Sequence, residues 1–200
     1  MKLKKKLVKN DFNVFLLIVC LQEVPSGILL FTGATDWDDV GRKTGGLPRS
    51  ANTIWSPVLL EALEEVQIES ISSGPSAVHQ FAVDTEGKVY AWGRNEKGQL
   101  GLNDLKDRKC PTVVEELTGY RVVATAVGKN HSLFLTDKGQ VLACGDNKCG
   151  QIGKKAGGMV KKPELVTYDG PPACRVACGQ EFSGIVDVQG NVYMFGSPDK

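Results

Sequence analysis

The sequence has few of the features that mark metal-binding, membrane-spanning or nucleic-acid-binding proteins. Its six cysteines form no Cys-x-x-Cys pair, so with two histidines the ligand spacing of zinc modules is missing. The apolar run at residues 14–21 is too short to cross a bilayer. A formal net charge of +1 disfavours general nucleic-acid affinity. We therefore expect no metal, no cofactor, no transmembrane span and no strong direct nucleic-acid binding.

What the sequence does contain is a repeated pattern: an alternating apolar run, a polar turn with glycine, and a second apolar run. The copies occupy residues 82–93, 134–145 and 185–196. Their turn glycines, Gly87, Gly139 and Gly190, recur after 52 and 51 residues. Each copy is typical of a β-hairpin whose glycine adopts a positive φ. A recurrence at this length predicts a repeat array.

Each repeat contains about four short strand-like segments separated by glycine-rich reversals, which is typical of a propeller blade. A fainter copy precedes the others, because residues 29–41 align with residues 89–101. We therefore divide the chain into an N-terminal segment, a partial blade and three repeats. The proposed boundaries are 1–27, 28–57, 58–110, 111–162 and 163–200.

Residues 92–101, 128–135 and 177–179 carry a resemblance to the regulator-of-chromosome-condensation repeat family, whose members are seven-bladed propellers. Within that family, residues 33–43 resemble the telophase disc branch. The fold class implied is all-β, with about three and a half blades of a seven-bladed β-propeller. A full ring at this repeat length needs roughly 350 residues, so we expect this chain to be part of a longer protein. The alternative is a short protein that closes by pairing with a second copy.

The resemblance implies a non-enzymatic scaffold for protein contacts. The expected partners are small GTPases of the Rac or Arf type, or mitotic, chromatin-associated and microtubule-associated proteins. The expected location is the nucleus and cytoplasm, including chromosomes or the spindle midzone. An accessory role in guanine-nucleotide exchange is left open. Exchange on Ran is not supported, because Lys129 and Asn130 precede His131 where the Ran-specific member carries acidic residues.

Candidate partner-binding residues are polar loop positions that break the symmetry of the repeats. A lysine-rich loop could meet an acidic protein face, an acidic tail or phosphates, although an ordinary solvated loop would have the same composition. The candidates are Arg94, Asn95, Lys129, Asn130, Lys154, Lys155, Lys161 and Lys162.

No catalytic residues are predicted. His79 and His131 both lie eight residues before their turn glycine, and repeat symmetry favours a structural role with the ring hydrogen-bonded to backbone. Cys144 and Cys178 occupy the positions of apolar residues in other copies, so we interpret them as small core residues.

Residues 1–27 lie outside the repeat pattern and leave two interpretations open. A lysine-rich start followed by a short apolar run resembles a secretory signal in outline. This favours the alternative of a secreted or lumenal propeller with a structural or ligand-binding role. The competing interpretation is a non-native start, or an apolar strand that docks on the propeller of an intracellular protein.

Overall fold

The structure, a computed structural model, describes residues 4–8, 16–20, 27–34, 53–74 and 76–197, which form antiparallel β-sheets and their connecting loops. Helical structure in these residues is confined to two 3-10 turns, Glu61–Leu63 and Glu115–Leu117. In the described ranges no helix has the length and apolar character needed to cross a membrane. The predicted β-rich fold class is confirmed.

Four groups of strands follow one another along the chain. The first contains β1 (Lys4–Val8), β2 (Leu16–Cys20), β3 (Gly27–Ala34) and β4 (Thr53–Leu59). The second contains β5 (Ile68–Ser72), β6 (His79–Asp84), β7 (Val89–Gly93) and β8 (Arg108–Val113). The third contains β9 (Val122–Val127), β10 (His131–Thr136), β11 (Val141–Asp146) and β12 (Met159–Leu165). The fourth contains β13 (Ala173–Cys178), β14 (Phe182–Asp187) and β15 (Val192–Gly196).

Strands β1 to β8 are hydrogen-bonded into one sheet, but β3 and β5 meet only where Gly27 pairs with Ile68. A similar backbone contact joins the second and third groups, where the amide of Val122 donates to the carbonyl of Gly87 at 3.0 Å. The pairing of Gly27 with Ile68 is therefore a contact between two neighbouring blades. Strands β1 to β8 form two four-stranded blades linked in this way.

The sequence interpretation separates residues 1–27 from the repeats, whereas the structure places β1 and β2 in the sheet of β3. Lys4 pairs with Cys20, and Leu16 pairs with Phe31. The continuous apolar run in β2 fits a strand, but the segment lacks the glycine-marked hairpin that identifies the other copies. The domain boundaries themselves stay a prediction.

The apolar cores lie between neighbouring blades. Phe81 in β6 and Phe134 in β10 are fully buried and pack edge to face, with ring centroids 5.1 Å apart. A second core between the third and fourth groups includes Leu133 and Ile185. Because successive side chains on a strand point to opposite faces, Phe134 and Leu133 contribute to different cores. Stability therefore comes from stacking, as expected of a repeat array.

The outer face of the fourth sheet carries apolar side chains that are exposed. Val192 and Met194 are 63% and 58% exposed. The matching residues of the third sheet, Val141 and Ala143, are 1% exposed because β13 to β15 pack over them. In the described residues no further sheet covers Val192 and Met194.

The turn glycines have the predicted backbone conformation. Gly87, Gly139 and Gly190 have φ values of +82°, +71° and +88°. At Gly139 a second requirement is added, because a Cβ there would lie 2.9 Å from the carbonyl oxygen of Ala173 in the next blade. Glycine is thus needed both for the turn and for the close approach of the blades.

Candidate interaction surface

One end of the sheets, named here the histidine face, is where β6 and β10 begin and β7 and β11 end. His79 pairs with Gly93, and His131 pairs with Gly145. The loops after β7 and β11 and the loop before β10 therefore emerge at the same end. The structure thus brings six of the predicted residues to this face: Arg94, Asn95, Lys129, Asn130, Lys154 and Lys155.

The histidines lie beneath this face and link adjacent blades. His79 Nε2 lies 2.8 Å from Ser132 Oγ in the next blade, and Ser132 Oγ donates to the carbonyl oxygen of Gln99 at 2.7 Å. The arrangement recurs one blade later, where His131 Nε2 lies 3.0 Å from Ser183 Oγ. Because the serine hydroxyl already donates to a carbonyl, the imidazole must donate from Nε2. The rings thus have a structural position, and in each case a serine of the next blade is a hydrogen-bond partner.

Both imidazoles are neutral at ordinary pH. Burial, followed by repulsion from His131, lowers the pKa of His79 to about 3. Burial also lowers the pKa of His131 to about 4. The Nδ1 atoms of both rings are buried and lack a hydrogen-bond partner. Neither ring has access to solvent or substrate, so the arrangement holds blades together and offers no group for catalysis.

Asn95 is part of the internal framework of the histidine face. Its exposed fraction is 0%. Its Oδ1 accepts from the amide of Leu100 at 3.0 Å, and its Nδ2 donates to the carbonyl of Asp104 at 3.1 Å. Its counterpart Asn147 bonds in the same manner to the carbonyl of Lys155, at 2.8 Å. Asn95 therefore shapes the loop and leaves no side-chain surface for a partner.

Arg94, Lys129 and Asn130 are at least partly accessible. Lys129 is exposed, while Arg94 and Asn130 are half-buried. The amide of Lys129 donates to the carbonyl of Gln180 in the next blade at 3.2 Å. This backbone bond holds the loop in place and leaves the ammonium group of Lys129 in solvent.

The lysine-rich segment leaves the histidine face and continues into β12. Residues 154–159 are all exposed, and Gly157 and Gly158 have positive φ values with open space around them. Lys154 forms an ion pair with Glu164. Lys161 and Lys162 are exposed on β12 itself. Among these four lysines, Lys154 is thus partly neutralised, and the other three contribute positive charge at the surface.

The equivalent loop of the preceding blade is built differently. Asp107 Oδ1 accepts from the amide of Asn95 at 2.6 Å, and Asp104 forms an ion pair with Arg108 at 2.6 Å. Burial alone would raise the pKa of Asp104, but the hydrogen bond from Arg108 keeps it below its usual value. Alanine and methionine occupy the corresponding positions in the lysine-rich loop. Two adjacent blades therefore present loops of different charge.

Some residues of this surface were not singled out by the sequence. The serines that bond the histidines, Ser132 and Ser183, are more than 50 residues away from them in the chain. A serine at both equivalent positions was the available signal, but its partner depends on blade stacking. Lys97, Lys106 and Leu105 also contribute to the surface, and their sequence context is that of an ordinary polar loop.

Comparison with known proteins agrees with the repeat pattern. Models of the regulator of chromosome condensation (RCC1) repeat match residues 86–135, 68–99 and 122–151. The chain is 44% identical to the Protein RCC2 homolog of Danio rerio over 88% of its length and 37% of that protein. It is 42% identical to Protein RCC2 of Homo sapiens, covering 86% of this chain and 34% of that one. The chain thus spans about a third of the length of these curated relatives.

Solved structures show the same fold at lower sequence identity. Human WBSCR16 matches with a TM-score of 0.74 and 19% identity, covering 94% of this chain and 47% of that one. Yeast RCC1 (Prp20), solved with Kap60 bound, matches with a TM-score of 0.72 and 23% identity over 98% of this chain and 44% of that one. These similarities agree with a partial propeller.

Proposed function

This chain belongs to the regulator of chromosome condensation repeat family, and we propose that it is a non-enzymatic propeller protein that binds a small GTPase or another mitotic regulator. The observation that carries the proposal is the 42–44% identity to RCC2 proteins across most of the chain. Prp20p, which has the same fold, was described together with its binding properties to Gsp1p and histones. A GTPase or a chromatin protein is therefore the partner class to test first.

The histidine face is the surface that we assign to this contact. Packing positions recur from blade to blade and are buried, whereas Lys129 and the loop at residues 154–158 are exposed and differ between repeats. Long loops on a rigid scaffold are the usual carriers of specificity. The proposal therefore depends on Arg94, Lys129, Asn130, Lys154 and Lys155, with Lys161 and Lys162 at the outer edge.

An intracellular location is part of the proposal and includes the nucleus, the cytoplasm, and chromosomes or the spindle midzone. Strands β1 and β2 support it, because both are hydrogen-bonded into the first blade. Cleavage of a signal peptide near residue 26 would remove these two strands and leave an edge of β3 unpaired. Detecting Met1 on the cytosolic protein would agree with the proposal, and a mature N-terminus near Gly27 in a secreted fraction would contradict it.

Binding is tested with purified Rac-type, Arf-type and Ran-type GTPases, each loaded with GDP or a GTP analogue, on the immobilised chain. Replacing Lys129 by Glu places an opposite charge on the histidine face, so we expect affinity to fall by about five- to tenfold. The matched control is Lys138→Glu, at the exposed turn between β10 and β11 on the opposite end of the same blade. Equal binding by both variants and by the unmodified chain would show that this face is not the site.

Exchange is measured separately, by release of a fluorescent GDP analogue from the GTPase that binds. Binding without faster release would assign the chain a scaffold role. Faster release that is lost in Lys129→Glu would add an exchange role at the same face.

A further inference from the structure

Two loops from different blades meet beside β12. The amide of Asn103 donates to the carbonyl of Lys161 at 2.9 Å. Gly98 lies against the same residue, since a Cβ there would be 2.8 Å from Lys161 Cα. The loop that follows β7 therefore lies on the outer strand of the next blade. The exposed side chains of residues 96–108 and 154–164 thus lie on one continuous surface.

This surface is strongly basic for its size. Residues 96–108 and 154–164 hold seven basic and four acidic side chains, a net charge of +3 in a chain whose total is +1. Asp104 pairs with Arg108, Glu164 pairs with Lys154, and Asp107 accepts a hydrogen bond from the amide of Asn95. Five lysines, named here the lysine cluster, make no ion pair with Asp104 or Glu164. They are Lys97, Lys106, Lys155, Lys161 and Lys162.

Apolar side chains lie within the same surface. Leu105 is 41% exposed and Met159 is 39% exposed. Leu105 is two residues from Asn103, and Met159 is two residues from Lys161. Both therefore stand near the backbone hydrogen bond that joins the loops. Exposed aliphatic side chains among lysines suit a partner that brings both negative charge and an apolar anchor.

We propose that the lysine cluster, with Leu105 and Met159, is a docking site for an acidic peptide segment that carries an apolar side chain. The inference rests on the proposed function, since the segment would belong to the protein that the propeller binds. Charge complementarity supplies steering and orientation, and burial of Leu105 and Met159 supplies affinity. Residues that contribute to the site come from two blades, so it exists only where the blades are stacked.

A peptide fits this surface better than a nucleic acid or an anionic membrane. The lysine cluster and its two apolar neighbours contain no aromatic side chain on which a base could stack. Glu96 and Asp107 border the cluster and would repel a long continuous polyanion. A short segment can place its carboxylates between them.

The probe is a fluorescein-labelled peptide of about twelve residues, rich in Glu and Asp and containing one Phe. Its anisotropy is followed as the 200-residue chain is added. The test variant is Lys161→Glu with Lys162→Glu, and the matched control is Lys88→Glu with Lys138→Glu. Lys88 and Lys138 are exposed in the hairpin turns at the opposite end of the blades, so both variants have the same net charge.

We expect the test variant to bind the peptide about tenfold more weakly than the control, since two attractions become repulsions. Replacing the Phe of the peptide by Ser should also weaken binding, and Leu105→Ser should abolish that difference. Equal weakening by both charge variants, or no binding by the unmodified chain, would overturn the proposal. Tighter binding to single-stranded DNA or to phosphatidylserine vesicles than to the peptide would overturn it as well.

The GTPase measurements distinguish a failure of the docking site from a failure of the proposed function. A chain that binds a GTPase through Lys129 but does not bind the acidic peptide would refute only the docking site. A chain that binds the peptide through Lys161 and Lys162 but binds none of the GTPases would refute the GTPase assignment and leave the docking site in place.

Discussion

Replacing Ser132 by alanine tests the hydrogen-bonded link between the second and third blades. The Ser132 hydroxyl is fully buried, accepts from His79 Nε2 at 2.8 Å and donates to the carbonyl of Gln99 at 2.7 Å. Alanine removes both bonds at once. The imidazole N–H of His79 is then buried without a partner.

The expected destabilisation is about 2–4 kcal/mol, because each buried polar group left without a hydrogen bond costs about 1–3 kcal/mol. The carbonyl of Gln99 retains a weak contact from the thiol of Cys144 at 3.4 Å. The contribution of this carbonyl to the destabilisation is therefore expected at the lower end of the range for one polar group. His79 Nδ1 already lacks a partner, and the ring cannot recover a bond by changing its tautomer. Such a loss is a large fraction of a typical domain stability of about 5–15 kcal/mol.

Urea unfolding followed by tryptophan fluorescence measures the effect, because Trp92 is buried between the first and second blades. The control is Ser73→Ala at an exposed position, for which a change below about 0.5 kcal/mol is expected. The double variant His79→Phe with Ser132→Ala should lose less stability than the sum of the losses in the two single variants. A phenylalanine ring leaves no N–H that needs the serine, and Phe182 already occupies the histidine position in the fourth sheet. If Ser132→Ala unfolds at the same urea concentration as the control, the link does not stabilise the stack.

Three further measurements address the same architecture. Gly139→Ala should lower stability by about 1–3 kcal/mol more than Gly190→Ala, since both turn glycines have positive φ but, of the two, only Gly139 contacts the next blade. Equal losses of stability in urea unfolding would contradict this prediction. Because burial depresses the pKa of His79 and His131, their contribution to stability is complete above pH 6.5 and is lost as the pH falls towards 4. The loss is up to about 1.4 kcal/mol per pH unit for each histidine. A flat pH profile of stability in urea titrations, or a profile that His79→Phe leaves equally steep, would refute this prediction. Burial also raises the pKa of the Cys144 thiol, so a thiol reagent should modify this cysteine only after the protein unfolds. Labelling of Cys144 in the native protein at the rate of the exposed cysteines would show that its thiol is accessible.

The hairpins could be predicted because their signals are local. Alternation of apolar side chains over five or six residues and a glycine at the turn specify two paired strands without reference to the rest of the chain. The positive φ of Gly87, Gly139 and Gly190 confirms that interpretation. Strands β1 and β2 were not assigned to a blade, because residues 4–20 have apolar content but no glycine-marked turn to align with the repeats.

The candidate surface was less predictable, because exposure depends on contacts between blades. Asn95 and Lys129 were equivalent as polar loop residues in the sequence. In the structure Asn95 is fully buried by hydrogen bonds to its own loop, while Lys129 points its charge into solvent. The contribution of Lys97 and Leu105 followed only from the contact between Asn103 and Lys161, two residues 58 positions apart.

By itself the sequence determined the repeat, the β-hairpins and the family, because each depends on residue types at short, recurring spacing. Tertiary structure alone decided that the apolar cores lie between blades, that His79 and His131 bond to serines of the next blade, and that two loops share one basic surface. The physical reason is that a single blade cannot bury its own faces. Its side chains acquire burial, hydrogen-bond partners and surface neighbours only when a second blade, about fifty residues away in sequence, packs against it.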